Sequence, residues 1–391
     1  MMKNHSLILA LAFFSACAGK PDSQETTQVE ELKNVLENIA FTVDTVIIDS
    51  GDSIIDTKNV DGYVKKFYSS VSEDGMLLYI FDRRRLILQE IDLNSLKLVH
   101  RYPFEMEGPD GVSRFVLTFG ILPSGDFLVK DIFGNAALFS KTGKKLKSIK
   151  LNGEDLLQNT SLEPFAIGND LFVDLKSEKL YTVPRNYMTK EIFFAVMDSA
   201  GQTGEIFEIP EFHRVFKFGV EYNSGGGGSS QGEELKLQKP SNLVLLSSTY
   251  GNAIYVFDPE LDSLYYKAFP HEIAPLEKDI EIKNQVSSEG EFKAEIEKLH
   301  TQIDYGEFYW DKVTQRYYRF ASIGLPRAAL DSPKRYEFFM FAYDKNLELK
   351  GETKLQGVAE IPESGFFKDG KLWSYVNVDD ELAFAIFTFN F

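Results

Sequence analysis

Apolar and polar positions alternate in short runs along most of the chain, and the runs repeat one layout. Residues 74–104 show it once. Asp74-Gly75 turns into an apolar run, 76–81, and a charged corner, Asp82-Arg83-Arg84-Arg85, leads to a second run, 86–91. A polar turn at 92–95 sends the chain back through 96–104. Alternation bounded by turn residues predicts three antiparallel strands of a meander. Residues 64–71 add an inner fourth.

The layout recurs. Asp74-Gly75, Ser124-Gly125, Gly168-Asn169, Pro240-Ser241-Asn242, 311–315 and Asp369-Gly370 each introduce a middle strand. Asp92, Ser140, Asp198, Asp258 and Asp344 each open the turn of a following hairpin. Asp at a turn start accepts hydrogen bonds from local backbone amides, and Gly or Asn is expected to supply positive φ. Six introductions against five hairpin turns leave the last unit without an outer strand. At the other end, 41–49 is a strand with no earlier partner. Pairing it with 382–389 completes the sixth unit and hides an apolar edge. The pattern therefore predicts an all-β, six-bladed β-propeller closed by its N-terminal strand.

Spacings of 48, 58, 60 and 86 between the five hairpin positions mark insertions, since a four-stranded blade takes roughly 40–50 residues. They are placed at 176–190 between the middle strands of blade three, at 223–234 as a Gly/Ser loop, and at 271–304. In the last, Phe292, Ile296, Leu299 and Ile303 recur at helical spacing, so 289–302 is expected to be a short helix. Residues 1–16 read as a lipoprotein signal peptide: Lys3, an apolar run at 7–14, and Phe14-Ser15-Ala16 before Cys17. The run is too short to span a bilayer. Cys17, the single cysteine of the chain, is the expected site of lipid attachment, including palmitate. Residues 17–40 form a tether with at best a short amphipathic helix at 29–40, and 41–391 form one propeller domain.

Several stretches resemble the bacterial lipoproteins of domain-of-unknown-function family 4221, relatives of the six-bladed TolB-like propellers. They are the segment ending at Cys17, Glu107-Gly108-Pro109-Asp110-Gly111-Val112, Arg316-Tyr317-Tyr318-Arg319-Phe320, Pro362-Glu363-Ser364-Gly365 and Gly370-Lys371-Leu372-Trp373. The resemblance implies a propeller anchored in the cell envelope, with the outer membrane as the expected site. It implies no activity and no catalytic residues.

Composition narrows the chemistry. A formal charge of −17 argues against nucleic acid and against adhesion to anionic lipid. The five histidines (His5, His100, His213, His271, His300) are scattered, and no zinc, nucleophile-elbow or EF-hand motif occurs. No metal or cofactor is expected. The loops between second and third strands, assigned as 82–85, 131–134, 176–190, 248–252, 324–335 and 377–381, hold ten Lys/Arg against seven Asp/Glu. The opposite turns hold four against seven. This local reversal predicts a cationic mouth, with Arg83, Arg84, Arg85, Arg185, Arg327 and Arg335 receiving an anionic small molecule, a glycan or an envelope protein. The alternative is an envelope hydrolase or lyase with axial carboxylates, which a single sequence does not locate. Tyr317, Tyr318, Arg319, Trp310 and Trp373 are expected to be core, and Glu107–Gly111 a turn between blades.

Overall fold

The computed structural model describes residues 34–390 apart from 52, 54, 56–68, 123–124, 134, 151–165, 175–176, 187, 199–203, 225–226, 328–331, 359, 363–364 and 380. Cys17, the signal segment and most of the expected tether lie outside the described residues. The architecture is all-β and propeller-like, and among the described residues it contains six four-stranded antiparallel sheets.

Blade one comprises Ser69–Val71, Leu77–Asp82, Ile87–Asp92 and Lys97–Pro103. Blade two comprises Val116–Ile121, Phe127–Asp131, Asn135–Phe139 and Lys145–Lys150. Blade three comprises Ala166–Asp174, Lys179–Asn186, Glu191–Asp198 and Gly204–Glu208. Blade four comprises Leu235–Gln238, Val244–Ser248, Ile254–Asp258 and Ser263–Lys267. Blade five comprises Ile303–Asp311, Arg316–Gly324, Tyr336–Asp344 and Leu349–Leu355. Blade six comprises Phe366–Lys368, Lys371–Val378 and Glu381–Asn390, and its outer strand is Ala40–Ile47.

That outer strand closes the ring as the turn count requires. Ala40 pairs with Asn390, and the register runs without a break to Ile47 opposite Ala383. Beyond it, Asp49 bridges to blade one: its N–H donates to the Leu96 carbonyl and its carbonyl accepts from Leu98. Ile48 is buried between Leu78 and Ile91 of blade one and Phe384 of blade six. Five further apolar clusters fill the interfaces between consecutive blades. Each fully buried Leu, Ile or Phe in them contributes about 1.5–3 kcal/mol of transfer free energy.

The hairpins share one device. An Asp or Asn ends a strand, and its carboxylate or amide oxygen accepts from the next turn's amides. Asp82 accepts from Arg84 and Arg85, Asp92 from Asn94 and Ser95, Asn186 from Met188 and Thr189, and Asp258 from Glu260 and Leu261. Four residues after each, the backbone turns left-handed, at Leu86, Leu96, Lys190 and Asp262. Gly supplies the positive φ expected of it at Gly75, Gly125, Gly143 and Gly370, but at these four turns it falls on residues that are neither Gly nor Asn. The capped turn holds them there, and apolar Leu86 is buried as it turns.

Three other expectations need correction. The segment 176–190 is not a single insertion: Lys179–Asn186 is the second strand of blade three, and Gly168-Asn169 lies inside its inner strand, where the register shifts between Ile167 and Leu171. The expected Gly/Ser loop contains a hairpin, Val220–Asn223 with Gly228–Gln231, and Gln285–Val286 adds a parallel third strand. The described part of the expected helix at 29–40 is a turn at 35–38. There Leu36 is fully buried against blade five, and Val35 N–H donates to the Lys350 carbonyl. A short 3-10 helix, Pro210–Phe218, was not foreseen.

Candidate functional site

The loops between second and third strands, with the connections entering each inner strand, build one face of the ring. As folded, these loops are 83–86, 132–134, 187–190, 249–253, 325–335 and 379–380, and they contain seven Lys/Arg against three Asp/Glu. These loops stay basic although 179 and 185 move into a strand.

The six candidate arginines have different fates. Arg83, Arg84 and Arg85 are exposed at the corner of blade one. The Asp82 carboxylate fixes the Arg84 and Arg85 amides at 3.0 Å and lies 3.4 Å from the Arg85 guanidinium. Arg335 is also exposed, and its carbonyl accepts from Leu325 to close its loop. Arg185 forms an ion pair with Asp170, with both side chains largely buried in blade three. Arg327 is paired with Glu297, its Nε 2.9 Å from Oε1, and donates to the Ser332 carbonyl. Arg327 beside Glu297 holds that carboxyl below its ordinary range. Corner arginines thus present charge outward, whereas Arg185 and Arg327 fasten elements together.

Beside the arginine corner lie apolar side chains that alternation alone did not single out. Phe115 precedes the inner strand of blade two, and Ile132 and Phe133 occupy its Asp131-capped loop. Their exposures are 50%, 52% and 68%. The two rings meet edge-on at 5.6 Å, and Ile132 N–H donates to the Phe115 carbonyl. The available signal was an Ile-Phe pair in a capped turn, where polar residues are the rule. The Glu107–Gly111 segment is a closed turn, with Gly111 donating to Gly108 and Val112 to Glu105, so those amides are taken.

Over blades four and five the same face is roofed. The connection 268–302 contains the helix α1, Glu289–His300, two residues shorter than expected. Ser288 caps it by accepting from Glu291 N–H, while the Glu291 carboxylate accepts from Ser287. Hydrogen bonds from Asn252 to Leu276 and from Lys278 to Tyr250 zip the connection to the loop of blade four. Beneath it, Arg319 is fully buried, and its guanidinium donates to the carbonyls of Gly306, Asn252, Ser248 and Gly251. It lies 4.7 Å over the Tyr305 ring, and burial lowers its pKa to about 10.

His271 sits alongside, stacked 3.8 Å from Phe341. The Tyr305 hydroxyl donates to the Pro275 carbonyl, so it accepts from His271 Nδ1, while the Tyr343 hydroxyl donates to Nε2. This assignment satisfies a neutral imidazole, and burial with the nearby Arg319 lowers its pKa to about 3. Tyr317, Tyr318 and Trp373 are core, as expected.

Three carboxyls in this half, Glu233, Asp304 and Glu352, are pushed upward by burial. Glu233, 4% exposed, is closed off by Lys278 at 2.6 Å and by the Thr249 hydroxyl at 2.5 Å. Asp304, the second residue of the inner strand of blade five, is exposed to solvent, and its carboxyl is raised despite Lys278 and Lys236. A raised, reachable carboxyl can act as a general acid. Among the described residues no group of three or more His, Cys, Asp or Glu side chains could hold a metal ion.

A family model described as "Domain of unknown function (DUF4221)" matches residues 35–354. A crystal structure of a member of that family from Bacteroides vulgatus is similar over 90% of this chain and 98% of its own, at 16% identity and a TM-score of 0.59. A Bacteroides fragilis protein inferred to be exported is similar over 90% and 95%, at 11% identity and a TM-score of 0.50. No curated protein matches the sequence.

Proposed function

The chain belongs to the domain-of-unknown-function family 4221, and from that premise we propose that it is a lipid-anchored binding module of the cell envelope. Cys17 carries the lipid and fixes the protein to the membrane, with the outer membrane as its site. The apolar run before Cys17 supports this, as does the fold shared with a protein inferred to be exported. No helix among the described residues is long and apolar enough to cross a membrane.

The ligand is anionic: a small molecule, a glycan or an envelope protein. One observation carries this reading. Arg83, Arg84 and Arg85 stand exposed together at one loop corner of a chain whose formal charge is −17. Arginine's planar fork suits carboxylates, and a cationic patch on an acidic body steers anions toward itself. The triple substitution R83E/R84E/R85E is expected to abolish binding of oligogalacturonate and of oligoglutamate while leaving the melting temperature unchanged. Undiminished binding of both would refute the reading.

A second reading, a hydrolase or lyase, is favoured by the raised and solvent-reached Asp304. It predicts that Asp304→Asn removes a turnover of acidic glycans that the wild type performs. A wild type without such turnover rejects it.

A further inference from the structure

We infer that the arginine corner is one half of a docking surface for an acidic polypeptide segment that presents an apolar side chain. The inference rests on the anion-binding reading above and adds the class of partner. Its second half is the triad Phe115, Ile132 and Phe133. The two halves share one buried cluster: Leu86, which follows the corner, lies in it with Val112 and Val116, which flank Arg114 and Phe115. Arg114 is exposed as well.

Single exposed apolar residues are ordinary, but three adjacent ones beside arginines have the composition of an interface anchor. The surface is also preorganised. The Phe115 carbonyl receives the Ile132 amide, Asp131 accepts from the Phe133 and Asn135 amides, and the two rings pack edge-on. These contacts order the Phe–Ile side of the surface ahead of binding, which lowers the entropy lost there.

The partner's chemistry follows from the two halves together. A free anion would use the arginines and leave the Phe–Ile triad in water. An anionic bilayer would match both halves but would meet a body of −17. A polypeptide with carboxylates around an aromatic or aliphatic side chain satisfies both at once, with bidentate arginine contacts at the rim.

The test uses the unlipidated mature chain from Ala18 onward and fluorescence anisotropy with defined probes. These are a Glu/Asp-rich peptide with a central Trp, the same peptide with Ser for Trp, oligogalacturonate, and phosphatidylglycerol vesicles. The Trp peptide is expected to bind about tenfold more tightly than the Ser peptide, a gap of about 1.4 kcal/mol. F115S/F133S should erase that gap, F115L/F133L should keep most of it, and R83E/R84E/R85E should remove both peptides. Equal binding of the two peptides, unaffected by F115S/F133S, overturns the docking surface and leaves the anion reading standing. Binding of no anionic probe overturns both. Vesicles or oligogalacturonate binding more tightly than the Trp peptide, and lost in F115S/F133S, also overturns the inference.

Discussion

Arg84 and Arg319 are the same residue in the same architecture, and they meet opposite environments. The entry to the inner strand of blade two is the short connection 104–115, and among the described residues Arg83, Arg84, Phe115 and Phe133 stand exposed around it. On blades four and five the connections 209–234 and 268–302 fold back over the face as a hairpin sheet, a 3-10 segment and α1. Arginine is exposed on the first half. On the second it is wholly buried and satisfied by backbone carbonyls. Between blade two and blades four and five, what differs is the length of the connection, not the blade. The open half is suited to binding, and the roofed half to holding its own charges in place.

The largest expected effect lies under the roof. Arg319→Met removes the donors to four carbonyls of blades four and five and strands several of them in a dry interior. It should cost about 3–5 kcal/mol in chemical denaturation. Arg319→Lys should recover only part of this, because an ammonium lacks the planar fork. A loss below about 1 kcal/mol would mean the network is not what unites the two blades.

Next is the seat of α1. A Cβ at Gly324 would overlap the His300 ring, which also packs edge-on against Tyr336. Gly324→Ala should therefore displace the end of the helix and cost about 1–3 kcal/mol, the usual range for overpacking. Faster hydrogen exchange in 289–300, with blades one and two unchanged, is the expected signature.

The third prediction concerns pH. His271 is neutral in the folded protein with a pKa of about 3, below its ordinary value of 6.5. Below pH ~6.5 the unfolded chain takes up a proton that the folded one refuses. The stability from a neutral His271 is thus complete above ~6.5 and is lost toward pH 3, at about 1.4 kcal/mol per unit. Raised Glu233, Asp304 and Glu352 act in the opposite direction, since their folded forms hold protons more readily. The difference between wild type and His271→Gln across pH 4–7 isolates the histidine. Parallel stability curves would contradict the prediction.

The smallest expected effect on stability is on the open half. R83E/R84E/R85E and F115S/F133S should each lie within about 0.5 kcal/mol of wild type per substitution, as surface changes do. A larger loss would show that the rim is part of the scaffold.

The ring was legible because turn chemistry is local. Asp92, Asp258 and Asp344 each accept from amides within four residues, so their spacing reports hairpins directly. Counting them exposed the missing outer strand that Ala40–Ile47 provides. Blade three was misread because Lys179–Asn186 contains Pro184 and ends in polar residues, which argues against a strand. Pro184 is accommodated opposite Ile167, beside the register shift of the inner strand. The site was only partly legible. Exposure of the arginine corner follows from its turn, but the partners of Arg185 and Arg327, Asp170 and Glu297, depend on strand pairing and on where α1 docks. Burial of Arg319 depends on carbonyls nearly 70 residues away in sequence, a relation no local pattern contains.

The division between an open, binding half and a roofed, structural half is tested most directly by hydrogen exchange of the mature chain with and without the Trp-containing acidic peptide. Protection confined to 82–86, 112–116 and 131–135, with 268–302 unchanged, is the result expected. Protection centred on 268–302, or none anywhere, would contradict it.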